Sequence, residues 1–110
     1  MTLPFVIGMV GLHFFADFIM QSQWMAENKS KRLDALTVHC VIYGLCFLLP
    51  FGMVFAGANA GLHFAVDFVT SRITATLWQK QQWHWFFVVI GADQFIHYSC
   101  LFGTHGLLQQ

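Results

Sequence analysis

The chain has 110 residues, room for one compact domain. It is 57% hydrophobic, 17% aromatic and only 9% charged, where a soluble domain carries roughly 25% charged residues. Five basic and five acidic side chains cannot clothe a soluble domain, and a net charge of zero excludes the basic surface that binding nucleic acid requires. The Phe-rich remainder has to face lipid, which predicts an all-α bundle with the bilayer as its first partner.

A spanning helix needs about 20 mostly apolar residues, and four segments qualify: about 3–22, 35–55, 58–77 and 84–105. The first is not read as a signal peptide, since it lacks a basic leader and contains His13 and Asp17. It is followed by the one long polar stretch, Gln21 to Asp34, with Glu27, Asn28, Lys29, Lys31 and Arg32. The second and third segments meet in a tight turn between Pro50 and Gly61, and the third and fourth across Gln79-Lys80-Gln81-Gln82. The three cysteines, Cys40, Cys46 and Cys100, sit in apolar stretches without a C-x-x-C pair and read as small buried apolar residues.

With four spans, the first and third connections lie on one side. All five basic residues (Lys29, Lys31, Arg32, Arg72, Lys80) fall in or beside those connections, so the positive-inside rule makes that side cytoplasmic and leaves both termini outside. Trp24, Trp78, Trp83 and Trp85 gather at the same boundary, as an interfacial aromatic belt does. On this reading Lys29, Lys31 and Arg32 orient the chain and meet anionic headgroups.

Residues 11–18 read Gly-Leu-His-Phe-Phe-Ala-Asp-Phe and residues 61–68 read Gly-Leu-His-Phe-Ala-Val-Asp-Phe, identical at six of eight positions. The two copies fall on helices running in the same direction. That predicts a bundle of two repeated helical hairpins related by a pseudo-twofold axis along the membrane normal. A looser match sets Val38-His39-Cys40 against Ile96-His97-Tyr98.

Residues four apart share a helix face, so His13 projects with Asp17, His63 with Asp67, and Asp93 with His97. His39 makes a set of seven within apolar spans, Gln21 extends the first stripe, and Gln94 adjoins Asp93. Each carboxylate in a span costs about 2.5–3.5 kcal/mol at the helix centre. Arg72 is the only basic residue near these spans, and neutral imidazoles cannot balance three carboxylates. A divalent cation can. Imidazole with carboxylate suits zinc first, with manganese, iron or nickel also compatible, so His13, Asp17, His39, His63, Asp67, Asp93 and His97 are the expected ligand set. Two other readings stay open: a packing network of protonated or paired groups, and a proton or ion pathway. His84 and His105 lie toward the helix ends and read as exposed.

The runs Leu12-His13-x-x-Ala16-Asp17-Phe18-x-x-Gln21 and Trp24-Met25-Ala26-x-Asn28-Lys29, followed by His39, His63-x-x-x-Asp67 and Asp93-Gln94-x-x-His97, resemble a domain-of-unknown-function family of small bacterial and phage membrane proteins. The resemblance covers nearly the whole chain and implies a multi-pass protein of the bacterial inner membrane without an assigned reaction. In style the motifs are distantly similar to membrane-bound metal-dependent hydrolases.

Two classes of function follow. As a metal-dependent hydrolase, the protein would act on a lipidic substrate reached from the inner leaflet. Asp93, which has no equivalent in the second helix because Ala35 occupies its place in the tentative repeat, would be the general base. As a binder or conductor, it would carry a metal ion or protons; haem is less suited, because axial ligation needs no paired Asp. A structural subunit with a polar His/Asp core is the third reading. Gly11, Gly44, Gly61 and Gly91 could permit close helix contact within one chain or in a homo-oligomer.

Overall fold

The structure is a computed structural model and describes residues 1–108. Those residues are all helical apart from short connections, and no strand occurs among them. Helix α1 (Leu3–Phe14) starts at Thr2, whose hydroxyl accepts from the Phe5 N–H, with Pro4 in the first turn, where a missing N–H costs nothing. It runs straight into a π-helical turn, Phe15–Ile19, closed by the Met20 N–H on the Phe15 carbonyl at 2.9 Å. Ser22 then caps a short helix α2 (Gln23–Asn28) by accepting from the Met25 N–H. Three long helices complete the chain: α3 (Leu33–Phe51), α4 (Met53–Gln79) and α5 (Trp83–Leu108).

These bounds correct the expected spans in detail. The first ends at Ile19 rather than 22, because the π turn gives way to the Ser22 cap. The second begins and ends earlier than expected, and the third begins earlier and runs on to Gln79: Gly52 alone separates α3 from α4, at φ +89°, a backbone region that side chains with a Cβ resist. The polar stretch after α1 is not a plain loop but carries α2.

Helices α3, α4 and α5 are long and apolar enough to cross a membrane, while Leu3–Ile19 is a shorter apolar helix. They form an antiparallel meander with α4 in the middle, packed along both α3 and α5. At the α3–α4 crossing the backbones come so close that a Cβ on Gly44 would sit 2.9 Å from the Ala60 Cβ and 3.2 Å from the Ala56 carbonyl oxygen. Gly11, Gly61 and Gly91 meet nothing within 4 Å, so only Gly44 among the four expected glycines serves contact within the chain. Helix α1 lies against α5, and its π turn touches α3.

The interior is divided by depth. Met9, Tyr43, Phe47, Phe55 and Leu101 form an apolar core toward the α3–α4 turn, with Asn59 donating to Thr104 at its edge. Beyond Tyr43 the interior turns polar: His13, Asp17, His39, His63, Asp67 and His97 are all buried. The outside is the inverse of a soluble protein, with Ile7, Leu49, Val54, Phe87 and Phe95 among the large apolar side chains most exposed. The cysteines are free, with Cys40 buried.

Candidate metal centre

Four helices bring the seven expected residues to one depth. His39 comes from α3, His63 and Asp67 from α4, and Asp93 and His97 from α5. His13 comes from α1 and Asp17 from the π turn. At the centre lie four donor atoms, each on a different residue: His39 Nε2, His63 Nε2, an oxygen of Asp17 and one of Asp67. Asp17 Oδ1 is 3.0 Å from His39 Nε2 and 3.2 Å from His63 Nε2. Asp67 Oδ2 is 3.4 Å from His39 Nε2 and 3.2 Å from His63 Nε2. The two Nε2 atoms are 3.0 Å apart.

No arrangement of ring protons satisfies all five contacts. If both Nε2 atoms carry a proton, two donors face each other at 3.0 Å. If one does not, its lone pair faces two carboxylate oxygens. A cation at the centre turns every contact favourable. Four ligands about 2.0–2.1 Å from a tetrahedral zinc stand about 3.3–3.4 Å from one another, close to the spacing found here.

The rings are fixed by packing more than by hydrogen bonds. His63 is stacked between Tyr43, with ring centroids 3.9 Å apart, and His97, at 4.0 Å. Nδ1 of His39 and of His63 is buried without a partner. Ligating histidines usually donate their second N–H to an acceptor; for His63 stacking takes over the orienting role.

A second group adjoins the first: Asp17, Asp93 and His97 offer donor atoms within 4.8 Å of one another. His97 Nε2 lies 3.1 Å from Asp67 Oδ1 and 3.1 Å from Asp93 Oδ1, so it bridges the two groups. The Thr70 hydroxyl donates to Asp93 Oδ1 at 2.6 Å, and Gln94 Nε2 donates to Asp93 Oδ2 and Asp17 Oδ2.

His13 stands apart from both groups. Its Nε2 is 2.8 Å from Gln94 Oε1, which can only accept, so that nitrogen carries the proton. Its Nδ1, 2.9 Å from the Tyr43 hydroxyl, then accepts in the neutral ring. With both nitrogens committed, His13 positions Gln94 and, 3.5 Å away, Asp17 Oδ2.

The charge balance differs from the sequence expectation. Lys29, expected among headgroups, instead reaches inward from the end of α2 and donates to Asp67 Oδ2 at 3.1 Å. Burial works against its charge, but the carboxylates of Asp67, Asp17 and Asp93 outweigh that and hold its pKa above the usual lysine value. Arg72, expected as the basic residue nearest the polar set, turns back onto its own helix. It donates to the Phe68 carbonyl and covers the Phe68 ring at 3.7 Å. Tyr43, Thr70 and Lys29 are the functional neighbours that the i,i+4 pattern does not show. Lys29 had one signal, its place at the end of the Trp24-Met25-Ala26-x-Asn28-Lys29 run.

The site opens on a cavity of about 280 Å³ whose wall includes Asp17, Gln21, Lys29, Asp67, Thr70, Ser71 and Asp93, with Phe18, Phe86 and Ile90 as apolar neighbours. The helices and the buried His/Asp cluster define a class: an all-helical protein with apolar helices of spanning length and an interior that could hold a metal ion. Residues 5–109 match the family described as "Protein of unknown function (DUF3307)", and the chain belongs to that family. Nothing among curated proteins or solved structures matches it.

Proposed function

We propose that this is an integral membrane metal-binding protein, with a divalent cation, zinc first, held by Asp17, His39, His63 and Asp67. The observation that carries the reading is the convergence of four buried donor atoms that no set of ring protons can reconcile. Leu3–Ile19, about 26 Å long at 1.5 Å per residue, serves as a fourth and short span, with both termini outside the cytoplasm of the bacterial inner membrane. The retained His-x-x-x-Asp copies support descent of the α1–α3 and α4–α5 halves from one duplicated hairpin.

The reaction proposed is metal-dependent hydrolysis of a lipidic or membrane-embedded substrate that enters through the cavity from the inner leaflet. A divalent cation in this cluster with a coordination position left free would supply Lewis acidity and bring the pKa of water toward neutrality. Asp93 stands outside the four central donors and is 13% exposed at the cavity wall. It takes a proton from the attacking water; as the bond to the leaving oxygen breaks, that proton passes to the leaving group.

Metal content of detergent-purified protein tests the site. The wild type should retain metal after dialysis, and a His39→Ala/His63→Ala variant should not. Equal content in both would sink the ligand assignment. For the reaction, Asp93→Asn should retain the central metal yet lose turnover on a panel of lipid substrates. Unchanged turnover removes Asp93 from the chemistry.

A further inference from the structure

Four protein donors around the central position leave no vacancy in a tetrahedral shell, and closed shells of this kind are structural whereas reactive ones keep a position open. The open position lies one step away. Asp17, Asp93 and His97 present three donors within 4.8 Å of one another, and Asp17 and Asp93 line the cavity. Three protein ligands and a free side are what a reactive metal needs. Asp17 belongs to both groups, and Asp67 faces both, with Oδ2 toward His39 and His63 and Oδ1 toward His97. Carboxylates shared in this way hold the metals of binuclear hydrolytic sites about 3.5–4 Å apart.

Two further features point the same way. Thr70 donates to Asp93 Oδ1 and Gln94 to Oδ2, the kind of hydrogen bond that a ligating carboxylate ordinarily receives. Ser71 is 6% exposed and its hydroxyl oxygen is buried without a partner in the cavity wall, so a polar group beside the site awaits a ligand.

We infer that the centre is binuclear: a second divalent cation binds at Asp17, Asp93 and His97, with its open side on the cavity. The inference rests on the central metal site proposed above. It also narrows the substrate. Three carboxylates are balanced by Lys29 and one dication, so a second dication leaves two positive charges facing the cavity. An anionic reacting group meets them, which favours a phosphate ester of a lipid over a neutral carboxylic ester.

The test is metal stoichiometry and Mn(II) paramagnetic resonance on the full chain in detergent, loaded with manganese alone. Two manganese ions per chain with an exchange-coupled spectrum are expected for the wild type. Asp93→Asn and, independently, His97→Gln should each bind one ion with an uncoupled six-line spectrum while eluting as the wild type does on gel filtration. One uncoupled ion per chain in the wild type, lost in His63→Ala, overturns the binuclear centre and leaves the central site standing. No bound manganese but one zinc per chain on loading with zinc overturns the binuclear centre alone, and neither metal bound overturns both. Two coupled ions retained in both Asp93→Asn and His97→Gln overturn the assignment of these ligands.

Discussion

The two His-x-x-x-Asp copies share six of eight residues and end in different roles. The second lies in the regular helix α4, and both His63 and Asp67 enter the central donor group. In the first, α1 changes to a π turn between the two residues. A π turn places an extra residue in the helical repeat and is often found at functional sites. Asp17 thereby reaches His39 and His63 across the bundle, while His13 stays behind with Tyr43 and Gln94. Identical spacing thus puts both residues of one copy into the central donor group, and in the other copy one residue into it and one beside it. Local backbone geometry decides which.

The largest expected effect breaks or keeps that contrast. His63→Ala removes a central donor and should weaken zinc binding by about 100-fold or more, whereas His13→Ala, acting only through Asp17 and Gln94, should cost about tenfold. Competition against a chromophoric chelator measures both. Equal losses would mean that the copies are equivalent and that the π turn does not separate their roles.

Much of this was legible in the sequence. Charge poverty and apolar run length predicted an all-helical chain, and i,i+4 spacing in apolar spans predicted the buried His and Asp residues that now meet. What stayed hidden depends on geometry across helices. The π turn has no signature in Phe15-Ala16-Asp17-Phe18-Ile19, so His13 and His63 looked alike. Lys29 sits in a polar stretch whose ordinary reading is a headgroup contact, and only the packing of α2 against α3 turns it inward. The α3–α4 turn was narrowed to the stretch from Pro50 to Gly61, but choosing Gly52 required the positive φ.

Lys29 sharpens the comparison from the side of α4, because its ammonium group faces Asp67 and not Asp17. Lys29→Met leaves the Asp67 carboxylate short of one charged partner, at a cost of about 1–3 kcal/mol to the metal-free protein. Removing a positive charge beside a cation site also favours the cation. The melting temperature of the metal-free variant should therefore fall by several degrees, and added zinc should raise it by more than it raises the wild type. A zinc-induced rise no larger than in the wild type would place the Lys29 charge outside the site.

Gly44→Ala probes the crossing that sets α3 against α4 and so sets His39 against His63. The added methyl meets the Ala60 Cβ at 2.9 Å and the Ala56 carbonyl at 3.2 Å, and backbone cannot swing away as a long side chain can. Overpacking of this kind costs about 1–3 kcal/mol. Thermal unfolding should show that loss, with zinc affinity reduced as well if the two imidazoles are pushed apart. Unchanged stability and affinity would show that α3 can move away from α4 without disturbing the ligands.

The smallest effect concerns the glycine that opens each copy. Gly11 and Gly61 occupy equivalent positions, and neither has an atom within 4 Å of where a Cβ would stand. Alanine should fit both sites and add up to about 1 kcal/mol of helix stability, with no change in metal binding. Within a single chain the two substitutions should therefore look alike, although the neighbouring histidines differ in role. Small residues on lipid-facing helices also let backbones of separate chains approach closely, which is where a homo-oligomer would show itself. Crosslinking and light scattering in detergent read this directly: if Gly61→Ala shifts the oligomer toward monomer and Gly11→Ala does not, α4 carries the contact between chains. Equal and negligible shifts assign neither glycine to an interface and leave both copies facing lipid.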